Sequence, residues 1–578
     1  MLAACGNGTS NASGWKAGTY TAAAKGINGV VTVEVVLSET KIESVKVVDH
    51  QETPGVSDGA IEKIPQAIVE TQGLGVDIVS GASYTSNAII EAVTLALKEA
   101  GADVDALKQI KQKATANEDI ETSYDVVIIG GGGAGLTAAV TAAENGAKVV
   151  VLEKMSTVGG NTAISGGEMA APGNWLQKEN GIEDSADLLY EDMLKGGDNE
   201  NDPSLVRVIA DNALDGAIWL RDNIGVEWED YMLFFGGHSV ERSLVPKGAT
   251  GSEIVKKLEA KAKELGVTIL TNTEAKALIA NGSDKDRINA VEAERNGKKY
   301  VFEAKNGVVL ATGGFGANIE MRKKYNADMD ESILSTTSPG STGDGLVMAE
   351  AIGAEMVDLG YIQTYPTCDP ETGRLLYVGD VRLDGRSILV NKEGKRFVEE
   401  LERRDVISKA VTETSDGYSY MFWDQSAMDD SGVDKKHKEE YEGLLERGLL
   451  VKADTIEEAA KHFGIDAEAL KETVKKYNEY AKNGKDLEFN KRGELVPFTD
   501  GPYYIMKSIP AVHHTMGGVK INTEAQVIDK EGNPIKGLYA AGEVTGDIHG
   551  TNRLGSCAIA DIVVFGRIAG ENAANFQE

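Results

Sequence analysis

Residues 124–154 read "YDVVIIGGGGAGLTAAVTAAENGAKVVVLEK", and this stretch decides the fold. Its first apolar run, Asp125–Ile129, predicts a strand that is buried on both faces. The alanine-rich stretch that follows predicts a helix up to Asn145, ended by Gly146, and a second apolar run then ends at Glu153. A strand, a helix and a second strand in this order predict a Rossmann-like α/β domain.

Glycines occupy the turn between the first strand and the helix with the spacing Gly130-x-Gly132-x-x-Gly135. Gly130 permits a tight turn, Gly132 lets a pyrophosphate approach the backbone, and Gly135 lets the helix pack closely on the strand. The N-terminus of the helix offers amide donors to phosphate. Glu153, at the end of the second strand, is placed to accept a hydrogen bond from a ribose hydroxyl. The unit therefore predicts a dinucleotide site.

Three further glycine-rich turns favour FAD as the dinucleotide. They are "GGNTAISGG" (159–167), "VVLATGGFG" (308–316) and "GLYAAGEVTG" (537–546). Several close approaches of backbone to ligand, spread along most of the chain, suit a long extended FAD better than a dissociable nicotinamide.

Composition restricts the class of protein. A chain of 578 residues is too long for one core, so several domains are expected. The formal net charge of −32 argues against a nucleic-acid partner, and no apolar run is long enough to span a bilayer. The three cysteines, Cys5, Cys368 and Cys557, exclude a disulfide scaffold, a haem-attachment motif and a multi-cysteine metal site. No metal site is predicted.

The first residues resemble a bacterial lipobox. Leu2-Ala3-Ala4-Cys5 precedes a stretch rich in Gly, Asn, Ser and Thr, which is typical of a flexible tether. Residues 1–14 are therefore expected to be a lipobox and tether, with Cys5 lipidated. This predicts an extracytoplasmic protein that is held at the bacterial cell membrane by its lipid alone.

Residues 15–103 are predicted to form a small α+β domain. Valines alternate with polar residues on both sides of Ser38-Glu39-Thr40-Lys41, which predicts a β-hairpin. A helix over about 57–71, a short strand over 76–80 and a helix beginning near Thr85 are expected next. The polar residues 104–122 are interpreted as a linker.

Residues 123–578 resemble the family of FAD-dependent fumarate reductases and their relatives. The matching pieces include "GGGGAGLTAA", "GGNT", "ATGGFG", "STGDGLVMAEAIGA", "NKEGKRFVEELERRD", "HHTMGGV" and "GLYAAGEVTGDIHGTNRLGS". The resemblance implies a FAD-binding domain over 123–361 and 511–578, with an inserted α+β clamp domain over 362–510 that closes over the substrate. The stretch 155–167 lacks the histidine to which some family members attach FAD, so non-covalent FAD is expected.

The resemblance also implies the residues of the site. FAD would be bound by Gly130, Gly132, Ala134, Gly135, Glu153, Lys154, Gly160, Asn161, Thr162, Gly166, Gly167, Thr312, Gly313, Asp344, His514, Gly542, Glu543, Ser556, Ala558 and Ile559. His513 and Arg553 would hold a substrate carboxylate. A hydride from FAD N5 would add to one alkene carbon, and Arg404 would protonate the other through a relay that includes Asp380. Arginines are otherwise most often surface ion-pair partners in an acidic protein, but a guanidinium is well suited to clamp a carboxylate.

Two departures from the fumarate enzymes bear on the substrate. Tyr365 and Gly379 stand where those enzymes place a His and a Thr on the second carboxylate of fumarate, and Glu168 adds an acid near the flavin. A pocket with Tyr365, Asp380 and Glu168 would repel a second carboxylate and suit a hydrogen-bond donor or a cation. Urocanate, an unsaturated acid with an imidazole tail, fits this description and is expected. Hydroxycinnamates or other aryl-acrylates are the nearest alternative, and fumarate stays open.

Residues 15–103 resemble the small FMN-binding domains of bacterial electron-transfer flavoproteins. The match is "SGASYT" at 80–85, and the resemblance implies FMN attached through a phosphodiester to Thr85. A helix cap by Ser83 or Thr85 is the simpler interpretation, and the two are compatible. FMN would pass electrons from a membrane-bound or quinone-linked donor to FAD. A lipid-anchored flavin electron carrier whose clamp is not catalytic is the alternative from another class.

Overall fold

A computed structural model of the chain describes residues 14–26, 29–52, 57–76, 78–79, 82–111, 120–280, 287–499 and 501–576. The predicted lipidation site Cys5 and the predicted tether up to residue 13 lie outside these ranges. The chain divides into two compact units. One comprises residues 1–121 with 155–157, and the other comprises 122–154 with 158–578.

The first unit is an antiparallel sheet covered by helices. Its strands are Gly18–Lys25, Val30–Leu37 and Ile42–Asp49, and its helices are Asp58–Thr71, Ser83–Glu99 and Val104–Gln109. Alternate valines of the central strand are fully buried, so the predicted hairpin is confirmed. The short strand predicted over 76–80 does not appear in the described part of that stretch, where Gly75 alone makes an isolated bridge to Lys111.

Two local expectations in this unit are corrected. The helix near Thr85 starts at Ser83 after the N-cap residue Ala82, and no side chain caps it. The predicted linker opens with a helix, Val104–Gln109, because Leu107 is buried against the core and Asp103 accepts a hydrogen bond from the Ala106 amide. Residues 112–119 of that stretch lie outside the described ranges.

A parallel sheet forms the centre of the second unit. Its strands, in spatial order, are Thr268–Leu270, Val149–Leu152, Ser123–Ile129, Lys298–Leu310 and Pro534–Ala540. The first half of Lys298–Leu310 instead pairs with an antiparallel ribbon made of Ala290–Arg295 and Thr273–Ile279. The strand at 123–129 is buried on both faces, as its apolar run predicts.

The remaining elements around this sheet are helices and short strands. The helices are Gly133–Glu144, Gly160–Ala163, Trp175–Asn180, Ala186–Gly196, Pro203–Trp219, a π-helical turn Leu220–Ile224, Ser252–Glu264, Ile319–Tyr325, Asp344–Ala351 and Cys557–Ala574. The short strands are Met169–Ala170, Trp228–Leu233, Ser243–Pro246, Met356–Val357, Gly518–Val519 and Gln526–Ile528.

The stretch between these elements carries a second, antiparallel sheet. Its strands are Ile362–Cys368, Tyr503–Thr515, Ser419–Asp424 and Ile388–Val390 in spatial order, with Leu450–Ala453 also paired to Tyr503–Thr515. Its helices are Tyr377–Arg382, Arg404–Thr412, Gln425–Ser431, Val433–Lys436, Lys438–Glu446, Ile456–Phe463 and Ala467–Asn483. This is the inserted α+β architecture that the resemblance implies. The strand Tyr503–Thr515 is continuous across the predicted domain boundary at 510/511.

Gly135 is packed so closely against backbone that a larger residue at this position should weaken flavin binding. A Cβ on Gly135 would overlap the carbonyl oxygen of Gly130, whereas Gly443, also inside a helix, faces open space. Gly135→Ala should lower the temperature at which non-covalent flavin is released and should reduce flavin content, because backbone overlap costs about 1–3 kcal/mol. Gly443→Ala is the matched control and should leave both unchanged or slightly improved. Equal flavin content and release temperature in the two variants would contradict this packing.

Candidate active site

Four of the predicted flavin-site segments meet at one edge of the central sheet. Gly130 follows the strand Ser123–Ile129, and Glu153 follows Val149–Leu152. The other two segments come after Lys298–Leu310 and Pro534–Ala540, and they carry Thr312 with Gly313 and Gly542 with Glu543. The carboxyl ends of parallel strands are where open α/β sheets bind ligands. The sheet therefore gathers segments that are far apart in sequence.

Backbone at this edge leaves room for a long ligand. A Cβ on Gly132 would meet nothing closer than 3.9 Å, one on Gly160 nothing closer than 3.6 Å, and one on Gly313 nothing closer than 4.0 Å. The amide of Gly159 donates to the carbonyl of Gly131 at 2.8 Å, which places the first two glycine turns side by side. The Thr312 hydroxyl is buried against Gly345 and has no hydrogen-bond partner among the described residues. An open glycine-lined edge fits an extended dinucleotide such as FAD.

Three charged residues of the predicted flavin site already have partners within the protein. Glu153 Oε2 accepts a hydrogen bond from the Gly131 amide at 2.7 Å, which holds the first glycine turn. Lys154 Nζ lies 2.5 Å from Asp344 Oδ2 and 2.5 Å from the Thr342 hydroxyl. Lys154 and Asp344 thus form an ion pair. This pair links the end of the strand Val149–Leu152 to the start of the helix Asp344–Ala351.

Asn161 and Glu543 join two of the glycine turns. Asn161 Nδ2 donates to Glu543 Oε2 at 2.8 Å, and Asn161 Oδ1 accepts from the Ser338 amide at 2.7 Å. Glu543 Oε1 also accepts from the Thr515 amide at 3.0 Å. Burial is the main cause that raises the pKa of the Glu543 carboxyl. Burial and the nearby cation of Arg553 hold the pKa of the adjoining His514 well below 6.5.

The other predicted flavin residues occupy neighbouring segments. Ala134 lies in the helix Gly133–Glu144, and Thr162 in Gly160–Ala163. Gly166 and Gly167 follow that short helix, while Ser556 precedes the helix Cys557–Ala574, which contains Ala558 and Ile559. The Ser556 hydroxyl pairs with that of Ser243 at 2.7 Å.

Two guanidinium groups, that of the buried Arg553 and that of the partly buried Arg404, form the cationic end of a candidate pocket next to these segments. Arg404 begins the helix Arg404–Thr412, and its Cζ lies 4.9 Å from the ring centre of Tyr365 and 5.7 Å from that of Phe235. Arg553 follows the turn after the last sheet strand. Burial lowers the pKa of both groups, to about 9 for Arg553, and the charge of Arg404 contributes to that shift of Arg553. Two cations that repel each other favour an anionic ligand.

Gln363 positions Arg553. Its side-chain oxygen accepts from Arg553 Nη2 at 3.2 Å, and its Nε2 donates to the carbonyl of Arg553 at 2.8 Å and to Asn552 Oδ1 at 2.6 Å. Gln363 lies on the strand Ile362–Cys368, opposite His514. Arg553 Nε is buried and has no hydrogen-bond partner among the described residues.

His513 completes the cationic end as a neutral donor. Thr336 Oγ1 lies 2.8 Å from His513 Nδ1, so the hydroxyl donates to Nδ1 when Nε2 carries the imidazole proton. The His513 ring lies 5.3 Å from that of Tyr365. Burial, then the cations of Arg553 and Arg404, hold the pKa of His513 well below 6.5. A neutral imidazole with its N–H on Nε2 is suited to donate to a carboxylate.

Acidic and phenolic groups form the other end of the pocket. Burial raises the pKa of Asp380 well above its usual value, and the charge of Glu168 raises it further. Burial also raises the pKa of Glu168, which the charges of Arg404 and Arg553 oppose. Tyr365, with its pKa raised to about 12 by burial and by Asp380, lies between the two ends. The structure thus brings Arg404, Asp380, Tyr365, His513, Arg553 and Glu168 into one electrostatically coupled group.

Some residues of this group are not apparent from the sequence. The charge of Arg382 lowers the pKa of both Asp380 and Arg404, and its guanidinium donates to the carbonyl of Glu400 at 2.7 Å. Tyr377 donates to the Ile164 carbonyl at 3.1 Å and stacks on His437. Only the "YVGDVR" stretch around Asp380, which carries both residues, offers a sequence signal for them.

Thr85 lies in the first unit. Its side chain is 3% exposed, and its hydroxyl donates to the carboxylate of the buried Glu52 instead of capping the helix. Residues 80 and 81 of the "SGASYT" stretch lie outside the described ranges.

Membrane-spanning helices and metal clusters were sought in the described residues. No helix there combines the length and the apolar character that crossing a bilayer requires. No group of three or more His, Cys, Asp or Glu side chains in the same residues is arranged to hold a metal ion.

Comparisons with known proteins place the chain in a family. A FAD binding domain model matches residues 125–559, and an FMN-binding domain model matches residues 26–98. The urocanate reductase of Eggerthella lenta is 50% identical over 97% of this chain and 93% of that protein. The NADH:acrylate oxidoreductase of Vibrio harveyi is 34% identical over 97% of this chain, which covers 61% of that protein. A flavocytochrome c3 fumarate reductase solved in an open conformation matches with a TM-score of 0.66 and 38% identity, over 80% of each chain.

The fold and these matches define a flavin-dependent oxidoreductase that acts on carbon–carbon double bonds. The chain belongs to the FAD-binding family that includes the fumarate and urocanate reductases, and it also carries an FMN-binding domain.

The charge state of the histidine pair is open to direct measurement. Above about pH 6.5 we expect His513 and His514 to be neutral, because a third cation beside Arg404 and Arg553 is unfavourable. Burial and those arginines hold the pKa values of both histidines well below 6.5. Nitrogen NMR of histidine-labelled protein, assigned with His513→Gln and His514→Gln, reads the tautomers. Protonation of either ring with a midpoint above about pH 6 would contradict this electrostatic description.

Proposed function

We propose that the protein reduces the double bond of an α,β-unsaturated carboxylate and that urocanate is its substrate. The observation that carries this proposal is the opposite character of the two ends of one pocket. Arg404 and Arg553 offer a cationic end to a carboxylate, while Glu168 and Asp380 offer acceptors to an N–H group. Urocanate carries a carboxylate at one end and an imidazole at the other. The 50% identity to the urocanate reductase of Eggerthella lenta supports the proposal.

At the cationic end, the protein holds and polarises the carboxylate. Arg553, fixed by Gln363, binds the two oxygens as a planar fork, and His513 donates from Nε2. Negative charge that develops next to the carboxylate is stabilised by the same cations in a site shielded from water. FAD, when bound, supplies the hydride that adds to one alkene carbon.

Arg404 delivers the proton to the other alkene carbon. Burial, aided by the charge of Arg382, lowers its pKa and makes the guanidinium a stronger acid than one in water. Asp380 keeps its proton more readily than an ordinary carboxyl, because burial and Glu168 disfavour its charge. Asp380 is therefore suited to hold the proton that later reprotonates Arg404. The charge of Arg382 lowers the pKa of both groups.

The acidic end disfavours fumarate. A second carboxylate there would face Asp380 and Glu168, whose raised pKa values indicate that a further negative charge in this region is unfavourable. A Cβ on Gly379 would overlap the methyl group of the buried Thr367, so a threonine does not fit there unless Thr367 shifts. Aryl-acrylates lack the N–H donors that these acceptors favour, although Tyr365 offers them a ring to stack on.

Substrate selectivity tests the proposal. With reduced viologen as the electron donor, kcat/KM for urocanate should exceed that for fumarate, cinnamate and hydroxycinnamate by at least about tenfold. Tyr365→His should reduce the ratio of kcat/KM for urocanate to kcat/KM for fumarate. Tyr361→His should leave this ratio unchanged; Tyr361 lies just before the strand Ile362–Cys368, which contains Tyr365. Faster turnover of fumarate than of urocanate would overturn the substrate assignment. Flavins that are reduced without turnover of any of these acids would favour the electron-carrier alternative.

FMN bound to Thr85 is the second part of the proposal. The FMN-binding domain match over 26–98 and the "SGASYT" stretch support attachment at this residue. The Thr85 hydroxyl donates to Glu52, and a carboxylate in that position is suited to take up the proton when the hydroxyl oxygen attacks the flavin-bearing phosphorus of FAD, the pyrophosphate bond breaks and AMP leaves. FMN at Thr85 would pass electrons from a membrane-bound or quinone-linked donor to FAD.

Mass spectrometry of the protein from its native host tests the attachment. We expect the tryptic peptide with Thr85 to carry FMN, and Thr85→Ala to abolish the modification. Thr94→Ala is the matched control, since Thr94 lies in the same helix and its hydroxyl bonds only the Ile90 carbonyl in the described structure. FMN that stays covalently bound in the Thr85→Ala protein would refute the assignment.

The lipid anchor at Cys5 and the extracytoplasmic location are also part of the proposal. They rest on the lipobox-like Leu2-Ala3-Ala4-Cys5 and the tether composition of residues 6–14. The same mass spectra cover the N-terminal peptide, and an unmodified Cys5 in protein recovered from host membranes would remove the anchor.

A further inference from the structure

Asp198 lies at a junction between the inserted clamp sheet region and the flavin-binding part of the second unit. Its two carboxylate oxygens accept from Arg403 Nη1 at 2.6 Å and from Arg403 Nη2 at 3.0 Å. The hydroxyl of Thr551 donates to the same carboxylate. Arg403 directly precedes Arg404, and Thr551 lies two residues before Arg553. One carboxylate therefore contacts both segments that carry the proposed proton donor and carboxylate ligand.

The segment that contains Asp198 is hydrogen-bonded to the segment that contains Arg553. Asn201 Nδ2 donates to the Ile548 carbonyl at 2.9 Å, and Asn552 Nδ2 donates to the Gly196 carbonyl at 3.2 Å. The amide of Thr551 donates to the Gly197 carbonyl at 3.2 Å. Asp198 itself has a left-handed φ of 57°, a conformation that persists where surrounding contacts hold it.

Arg403 lies at the start of the helix Arg404–Thr412. Arg403 is the N-cap residue of this helix, and its guanidinium also bonds Asp405, through Nε at 3.1 Å and Nη2 at 2.7 Å. The side chain of Arg403 is 19% exposed and that of Asp198 is 50% exposed. Arg403 is thus a planar fork shared by two carboxylates, an arrangement with more geometric definition than a single flexible surface pair.

We propose that Asp198 is a positioning residue that fixes Arg404 relative to Arg553 by binding Arg403 and Thr551 together. This inference rests on the proposed function, because it concerns the spacing between the proton donor and the carboxylate ligand. Asp198 touches neither substrate nor flavin; it acts through Arg403. Loss of its charge frees the first turn of the helix Arg404–Thr412 and leaves the Arg553 segment in place.

The variant Asp198→Asn tests this role in the full-length holoenzyme. Asparagine has nearly the same shape, tolerates the left-handed backbone and still accepts from Thr551, so the change removes mainly the charge. The matched control is Asp215→Asn, because Asp215 pairs with Arg567 at 2.8 Å on the flavin-binding part alone. Bound flavin and melting temperature are measured for both, and Arg403→Gln replaces Asp198→Asn if the latter loses flavin.

Two readouts are expected to change in Asp198→Asn and not in Asp215→Asn. Amide hydrogen exchange over 404–412 in the resting protein should be faster. The kcat/KM for urocanate at about 0.05 M salt should fall about tenfold, mainly through kcat. The difference in kcat/KM between Asp198→Asn and the wild type should become smaller as the salt concentration rises to about 0.5 M, because salt screens the ion pair in the wild type. Adding Asp198→Asn to Arg403→Gln should cost nothing further.

The two readouts separate failure of this inference from failure of the proposed function. If amide hydrogen exchange over 404–412 is unchanged in Asp198→Asn, Asp198 does not hold the start of this helix, whatever the substrate is. Faster exchange with unchanged turnover overturns the positioning role. A wild-type protein that turns over none of the unsaturated acids contradicts the proposed function, while the exchange experiment still decides whether Asp198 holds the helix.

Discussion

The pocket is organised around two guanidinium groups of like charge, that of the buried Arg553 and that of the partly buried Arg404. The charge of Arg404 lowers the pKa of Arg553, and neither arginine forms an ion pair with a carboxylate among the described residues. Burying two such cations is unfavourable unless an anion joins them. The surrounding structure keeps them in place: Gln363 fixes one, and the start of a helix fixes the other. The carboxylate of a substrate is therefore the missing component of an otherwise complete electrostatic arrangement.

The rest of the pocket follows from that requirement. His513 must stay neutral beside two cations, and burial together with the Thr336 contact achieves this. The charges of Arg404 and Arg553 lower the pKa of Glu168, but burial outweighs them, and burial also raises the pKa of Asp380. A substrate that fits both ends must be an anion on one side and a hydrogen-bond donor on the other. Charge distribution, more than shape, distinguishes the candidate substrates.

The sequence predicted those parts of the site that depend on local pattern. The turn at Gly130, Gly132 and Gly135 is confirmed in its geometry because strand, glycine spacing and helix lie within one short stretch. Family resemblance supplied Arg404, His513 and Arg553, and the structure brings them together although they lie far apart in sequence. Their roles remain predictions until they are measured.

Other parts were beyond sequence reasoning because they depend on tertiary contacts. Nothing in the residues around Gln363 or Asp198 shows that they bind Arg553 and Arg403, since these partners lie far away along the chain. The helix at Thr85 begins at Ser83, so the predicted capping role of the threonine is wrong; its hydroxyl is instead directed to Glu52 by the fold. Local propensity also placed a strand at 76–80, and none appears at residues 76, 78 and 79, the part of this stretch that the structure describes.

The strand Tyr503–Thr515 carries one extra residue where it reaches the site. Gln363 pairs with His514 and Thr364 pairs with Val512, so His513 is the bulged residue between them. His513 lies against the ring of Tyr365, while His514 adjoins Glu543. The same strand pairs with the clamp strands at its beginning and reaches the flavin turns at its end. Removing the extra residue would shift the pairing on one side of the bulge by one position, and at least one of the two histidines would lose its present neighbours.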